Sequence, residues 1–225
     1  MEIIYCLLDL ILNIENHLFK LIMDYGIGIY AILFLIIFIE TGLVVMPFLP
    51  GDSLLFAAGT FCAGVQNDIG QTAELNLGAT LLLLIIAAIF GDALNYYIGK
   101  KLGFKLLTLK LNGKEIVNPK YISKTNKFYE LHGPKTIIIA RFVPIVRTFA
   151  PFVAGIGKMT YGKFIRFNII GGIVWVLSLV FLGYFVGNLD LVKKNFETVI
   201  FGIIGFSLLP MLIEIILNKY NNKNT

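Results

Sequence analysis

The chain has 225 residues, is 57% hydrophobic and carries only 15% charged residues, well below the roughly 25% of soluble domains. Its mean hydropathy is +0.83, and several uncharged runs approach the ~20 residues that cross a bilayer. These features exclude an ordinary soluble domain and predict one all-α polytopic membrane protein. The net charge of +5 does not signal nucleic acid, because the lysines sit between apolar runs in the positive-inside pattern.

The first 24 residues form an amphipathic segment. Glu2, Asp9, Asn13, Asn16 and Lys20 fall on one narrow helical stripe, which suits a helix at the membrane interface. No basic n-region precedes this run, and Glu2 and Asp9 interrupt it, so it is not expected to be a signal peptide. Cys6 and Cys62 lie far apart in apolar context and read as buried thiols rather than a disulfide.

Residues 25–46 read as the first spanning helix, interrupted only by Glu40. Pro47 and Pro50 end it, Gly51 supplies a turn, and Asp52 stands at the expected N-cap of the next helix. The uncharged run that follows, 53–67, is too short to span comfortably, so 47–67 is predicted to be a re-entrant hairpin. Residues 75–98 read as the second span, with Asp92 inside it. Residues 100–135 carry nine lysines against Glu115 and Glu130 and form the expected cytoplasmic loop.

Residues 136–157 are as apolar as a membrane helix, yet contain Arg141, Arg147, Pro144 and Pro151. Each arginine costs about 2.5–3.5 kcal/mol at the centre of a spanning helix. Each proline removes one helical hydrogen bond, freeing the carbonyls of Ala140 and Arg147. Both flanks are basic, with Lys135 on one side and Lys158, Lys163 and Arg166 on the other. A second re-entrant hairpin, opening from the cytoplasm, keeps both flanks inside. Pro47, Pro50, Gly51, Pro144, Pro151 and Gly155 are the residues expected to shape the two hairpins. Residues 167–187 and 198–217 complete about four spans, and 218–225 form a polar cytoplasmic tail. The two hairpins enter from opposite faces, each followed by a span, which is the layout of an inverted repeat. Both termini are then cytoplasmic.

Glu40, Asp52, Asp92, Arg141 and Arg147 would together cost on the order of 15 kcal/mol if exposed to lipid. They must pair, protonate or face water. Asp52 is equally suited to capping. Asp92 has a structural alternative in Lys100 or Tyr96. The arginines could clamp free carbonyls, or Glu40 and Asp52, and their planar forks suit carboxylate or phosphate. Trp175 and Tyr184 read as packing or interface aromatics. Gly91, Gly99, Gly171, Gly172, Gly183 and Gly187 are expected to permit close helix contact. His17 and His132 are solitary, and no metal site or cofactor is expected.

Several motifs, in register, resemble the DedA family of bacterial membrane proteins, whose module is the VTT or SNARE-associated domain of eukaryotic relatives. They are Phe38-Ile-Glu40, Pro50-Gly51-Asp52, Gly91-Asp92-Ala-Leu-Asn-Tyr-Tyr-Ile-Gly99, Ala140-Arg141-Phe-Val-Pro144-Ile-Val-Arg147-Thr148, Ala154-Gly155, Asn168, Trp175 and Gly183-Tyr-Phe-Val-Gly187. The resemblance covers roughly residues 25–190. It implies two facing re-entrant hairpins, a multi-pass protein of the bacterial plasma membrane, and lipid transport dependent on the proton motive force. It assigns proton coupling to Glu40 and Asp52, with Asp92 a recurrent family acid, and assigns Arg141 and Arg147 to the substrate phosphate.

The function expected is a proton-coupled lipid flippase that recycles undecaprenyl phosphate. The alternatives are a phosphatidylethanolamine or general phospholipid flippase or scramblase, and a small-anion transporter. No Ser/His or Cys/His pairing points to a hydrolase, and a scaffold has no need of five buried charges, so no enzymatic activity is expected. The partners expected are a membrane lipid and protons, without nucleic acid, and a homo-oligomer is left open.

Overall fold

The computed structural model describes residues 14–43, 51–66, 71–108, 110–111, 114–115, 119–157, 159–187 and 189. The expected interfacial residues 1–13, Pro47, Pro50 and the expected last span at 198–217 lie outside them. The described elements are helices α1 (Ile14–Tyr25), α2 (Gly28–Gly42) and α3 (Gly51–Cys62), strands β1 (Val65–Gln66) and β2 (Thr72–Ala73), helix α4 (Leu77–Thr108), strands β3 (Lys110–Leu111) and β4 (Lys114–Glu115), helix α5 (Pro119–His132), a 3-10 turn (Gly133–Lys135), and helices α6 (Thr136–Ala140), α7 (Pro144–Ile156) and α8 (Tyr161–Gly187). The strands pair only as two antiparallel ribbons, β1 with β2 and β3 with β4.

Among the described residues, two 27-residue stretches, Leu77–Gly103 and Tyr161–Gly187, are long and apolar enough to cross a membrane. The structure corrects several sequence boundaries. The first apolar helix, α2, has 15 residues, about 22 Å at 1.5 Å per residue, short of a ~30 Å hydrocarbon core. Residues 100–135 are mostly helical rather than a loop, because α4 continues to Thr108 and α5 occupies Pro119–His132. Helix α8 begins at Tyr161, so Lys163 and Arg166 lie in its first turns.

The chain divides into two compact units. The first comprises 1–31, 50–81 and 178–225, and the second comprises 32–49 and 82–177.

In the first unit, every residue of α3 except Asp52 is buried. A helix that is apolar all round is buried all round. Asp52 is inside the first turn of α3, which begins at Gly51, rather than at the cap before it. Helix α3 lies against the last part of α8 through a reciprocal glycine contact. A Cβ on Gly59 would overlap the carbonyl oxygen of Val180, and one on Gly183 would overlap that of Phe56. Thr60 Oγ1 donates to Phe56 O at 3.1 Å and to Gly183 O at 3.3 Å. Cys62 is a buried free thiol that lies 3.5 Å from Thr80 Oγ1.

The second unit repeats the contact with other helices. A Cβ on Gly99 of α4 would overlap Phe152 O of α7, and one on Gly155 would overlap Tyr96 O. In both units each glycine follows, by three residues, the carbonyl that its partner faces. Phe56-Ala-Ala-Gly59 and Phe152-Val-Ala-Gly155 are the matching stretches. Around this contact Tyr96, Ile137, Ala140, Val146, Ala150, Ala154 and Phe164 form a core cluster. The rings of Tyr96 and Phe164 stack at 4.5 Å, and the Tyr96 hydroxyl donates to Met159 O. Tyr129 of α5 donates to Ala150 O at 2.9 Å. Burial, with the charge of Asp92 adding to it, pushes the Tyr129 phenol far up, so it remains a donor.

Because backbone fills the space beside them, Gly99→Ala and Gly155→Ala should destabilise by about 1–3 kcal/mol. That outweighs the roughly 1 kcal/mol that alanine gains over glycine in a helix. Gly162→Ala, with open space around it, should be neutral or stabilising. Thermal unfolding in detergent separates the two cases, and equal effects at all three positions would refute the packing argument.

Candidate functional site

The site lies wholly within the second unit, where α2, α4, the α6–α7 break and α8 each contribute side chains. The break itself is local chemistry. A residue before proline is pushed out of the helical region, and Val143 is extended at φ −116°, ψ 105° with Pro144 in the first turn of α7. Pro144 has no N–H for the Ala140 carbonyl, which instead accepts from Val143 N at 2.9 Å. The carbonyl that the sequence leaves free is therefore satisfied one residue earlier. Pro151 breaks nothing, since α7 runs through it to Ile156. Gly155 is a packing residue rather than a turn.

Arg141 ends α6, and its Nη2 donates to Asp92 Oδ2 at 2.5 Å and Asn168 Oδ1 at 2.6 Å, with Ala88 O at 3.5 Å. Asn168 in turn donates to Ile89 O at 2.9 Å. The side chains of Arg141 and Asp92 are 5% and 7% exposed, so the pair is desolvated and held from two helices. Gly171 and Gly172 clear its path, because a Cβ on Gly171 would come within 3.2 Å of both Arg141 Cδ and Nε. Asp92 thus neither pairs with Lys100 nor accepts from Tyr96, the alternatives the sequence suggests for it.

Arg147, one turn into α7, pairs with Glu40 in the last turn of α2. Glu40 is 2% exposed and Arg147 11%. Trp175 of α8 is 1% exposed, and both guanidinium carbons lie over its ring, Arg141 at 5.5 Å and Arg147 at 5.6 Å. Such contacts contribute about 0.5–2 kcal/mol each. Trp175 is therefore part of the charged site and not only a packing aromatic. Glu40, Thr41, Asp92, Arg141, Arg147, Thr148 and Trp175 line a cavity of about 10 Å³, room for one water at most.

Four of the five charges singled out in the sequence come together here. The fifth, Asp52, belongs to the first unit. The sequence expectation set Glu40 and Asp52 against the arginines, and within this unit Asp92 joins Glu40. The observed carboxylates are Glu40 and Asp92. Two acids against two arginines make a neutral set, where the five-residue set carried one excess negative charge. Asn168, Thr41, Thr148 and Asn95 were not singled out as site residues. An uncharged polar side chain inside an apolar helix, as Asn168 and Asn95 are, is the signal that points to them. Among the described residues no group of His, Cys, Asp and Glu could hold a metal ion.

Chemically, the arrangement buries two guanidiniums, each neutralised by a carboxylate, on one aromatic face. A guanidinium paired in this way can meet another anion by exchanging its carboxylate, and a displaced carboxylate then needs a proton or water.

Residues 49–185 match the VTT domain family model. The chain is 53% identical to Protein DedA of Escherichia coli (strain K12) over 219 residues, 97% of this chain and 96% of that protein. It is 39% identical to an uncharacterized membrane protein of Mycobacterium leprae over 178 residues, 79% of this chain and 75% of the relative. It is also 34% identical to Inner membrane protein YqjA of Escherichia coli (strain K12), over 74% of this chain and 71% of that protein. No solved structure matches the chain significantly.

Proposed function

Since the chain belongs to the DedA family of VTT-domain membrane proteins, we propose that it is a proton-coupled carrier of a lipid phosphate, with undecaprenyl phosphate as its substrate. The observation that carries this reading is the buried neutral quartet of Glu40, Asp92, Arg141 and Arg147 around Trp175. A phosphate headgroup needs a polar path across ~30 Å of hydrocarbon, and a paired guanidinium is the group that recognises it.

The two arginines divide the work. Arg141 is fixed by Asp92 and Asn168. Arg147, the more exposed of the two, is the one that changes partner. A monoanionic phosphate takes Arg147 from Glu40, Glu40 takes up a proton, and the quartet is neutral again. Proton uptake is then tied to substrate entry by charge balance alone.

The same reading places α3 and α7, each near 20 Å long by the helical rise, in re-entrant hairpins, with both termini cytoplasmic in a multi-pass protein of the bacterial plasma membrane. The basic stretch 100–135 supports that orientation. No covalent chemistry is assigned, and the protein is read as a carrier rather than an enzyme.

The deciding experiment is a leaflet assay for undecaprenyl phosphate in proteoliposomes. Redistribution should be faster with protein than without, and faster still under a proton gradient. Rates equal to those of empty vesicles would sink the reading. Trp175 supplies a second test, because it is the single tryptophan of the chain. Dodecyl phosphate should change its fluorescence in the wild type and not in Arg147→Met. Dodecyl trimethylammonium should leave it unchanged.

A further inference from the structure

Asn95 is fully buried on α4, three residues after Asp92. Its amide nitrogen donates to two main-chain carbonyls, Thr41 O at 3.1 Å and Thr148 O at 2.8 Å. Thr41 directly follows Glu40, and Thr148 directly follows Arg147. A single side chain therefore ties the backbones that carry the two halves of the Glu40–Arg147 pair.

The Thr41 contact answers a local need. Helix α2 ends at Gly42, so the Thr41 carbonyl is among the last four, which have no donor within the helix. Asn95 supplies one. One turn earlier on α4, Gly91 lets α2 approach so closely that a Cβ there would overlap Thr41 Oγ1. The other amide atom, Asn95 Oδ1, is buried with no hydrogen-bond partner among the described residues. A buried acceptor without a donor is unfavourable, so the amide is retained here for its N–H groups.

We propose that Asn95 is the positioning residue that holds Glu40 and Arg147 in register and thereby sets how readily an anion takes Arg147 from Glu40. The proposal rests on the reading of the quartet as an anion site. With both N–H contacts made, α2 and α7 are pinned to the same point on α4 and the ion pair closes on itself. Loss of either contact lets the two backbones separate, and Arg147 becomes available. Asp92, on the same helix, holds Arg141 independently, so loosening Asn95 acts on one arginine and not on the other.

The test uses the full-length protein in detergent, comparing wild type with Asn95→Leu, which keeps the branched shape and removes the donors. Phenylglyoxal modification of each arginine is followed by peptide mass spectrometry. Arg147 should react at least about fivefold faster in the variant, the factor expected for losing one of the two hydrogen bonds, with Arg141 unchanged. An unchanged Arg147 rate, or an equal rise at both arginines, overturns the proposal. In parallel, Trp175 fluorescence is titrated with dodecyl phosphate. Half-saturation should fall in Asn95→Leu, and a rise in a folded variant also overturns the proposal. If Arg147 becomes reactive while dodecyl phosphate leaves Trp175 unchanged in both proteins, the positioning role stands and the anion-site reading falls. Should Asn95→Leu not fold, Asn95→Gln carries the same measurements, with the same direction and a smaller change. No change there counts against the proposal.

Discussion

Arg147→Lys is expected to reduce lipid transport by about 100-fold or more while leaving the protein folded. Charge is conserved in this variant, so a loss isolates geometry. Arg147 faces the Glu40 carboxylate and at the same time lies over the Trp175 ring. A planar fork can meet a carboxylate or phosphate while stacking on an aromatic face, and an ammonium point charge cannot do both. The measurement is initial flipping rate in proteoliposomes at matched protein incorporation, with thermal unfolding as the control. A lysine variant transporting at the wild-type rate would remove bidentate recognition from the mechanism. The companion variant Glu40→Gln separates binding from coupling. It should still respond to dodecyl phosphate through Trp175, but its transport rate should no longer depend on a proton gradient. Retention of the full gradient response would take Glu40 out of proton coupling and leave Asp52 and Asp92 as the remaining acids.

The second large effect is on stability. Removing one partner of a buried ion pair leaves an uncompensated charge and costs about 3–5 kcal/mol. Arg141 and Asp92 are that kind of pair, desolvated and enclosed by Asn168, Gly171 and Gly172. Arg141→Leu or Asp92→Leu alone should therefore unfold well below the wild-type temperature, or fail to accumulate. The double variant Arg141→Leu/Asp92→Leu should recover most of the loss, because two apolar groups replace two charges and leave neither unpaired. Transport should stay lost, since the site no longer carries a fixed positive anchor. Double-variant stability no better than the worse single variant would contradict the account of Arg141 as a charge-balanced anchor.

Much of this was legible in the linear sequence. Composition and run lengths pointed to a helical membrane protein, because apolar surface needs an apolar solvent. The stretch 136–157 stood out, because arginine and proline are tolerated in such a run only for a reason. The break at Val143 follows from Pro144 alone. Gly91, Gly99, Gly171, Gly172, Gly183 and Gly187 were recognisable as contact residues, since a missing Cβ in an apolar helix signals close approach. The lysine-rich stretch 100–135 was legible as charge but not as helix. Positive-inside counting reads sidedness, whereas α5 is shaped by packing onto α7 and the 3-10 turn.

Pairing was not legible. The sequence showed which charges must be neutralised but not by which partners, because burial cost is a property of each residue and proximity is a property of the fold. Glu40 and Arg147 are separated by 107 positions. Asp92 was drawn locally towards Lys100 and Tyr96, when its partner Arg141 lies on another element. Trp175 carries no charge and so gave no sign that two guanidiniums rest on it. The sequence by itself determined that this chain buries arginines and carboxylates among apolar helices. Only the tertiary structure decided that Glu40 holds Arg147, that Asp92 holds Arg141, and that Asn95 ties the first pair together. The reason is physical: desolvation can be counted along a chain, but a hydrogen bond exists only where two elements meet.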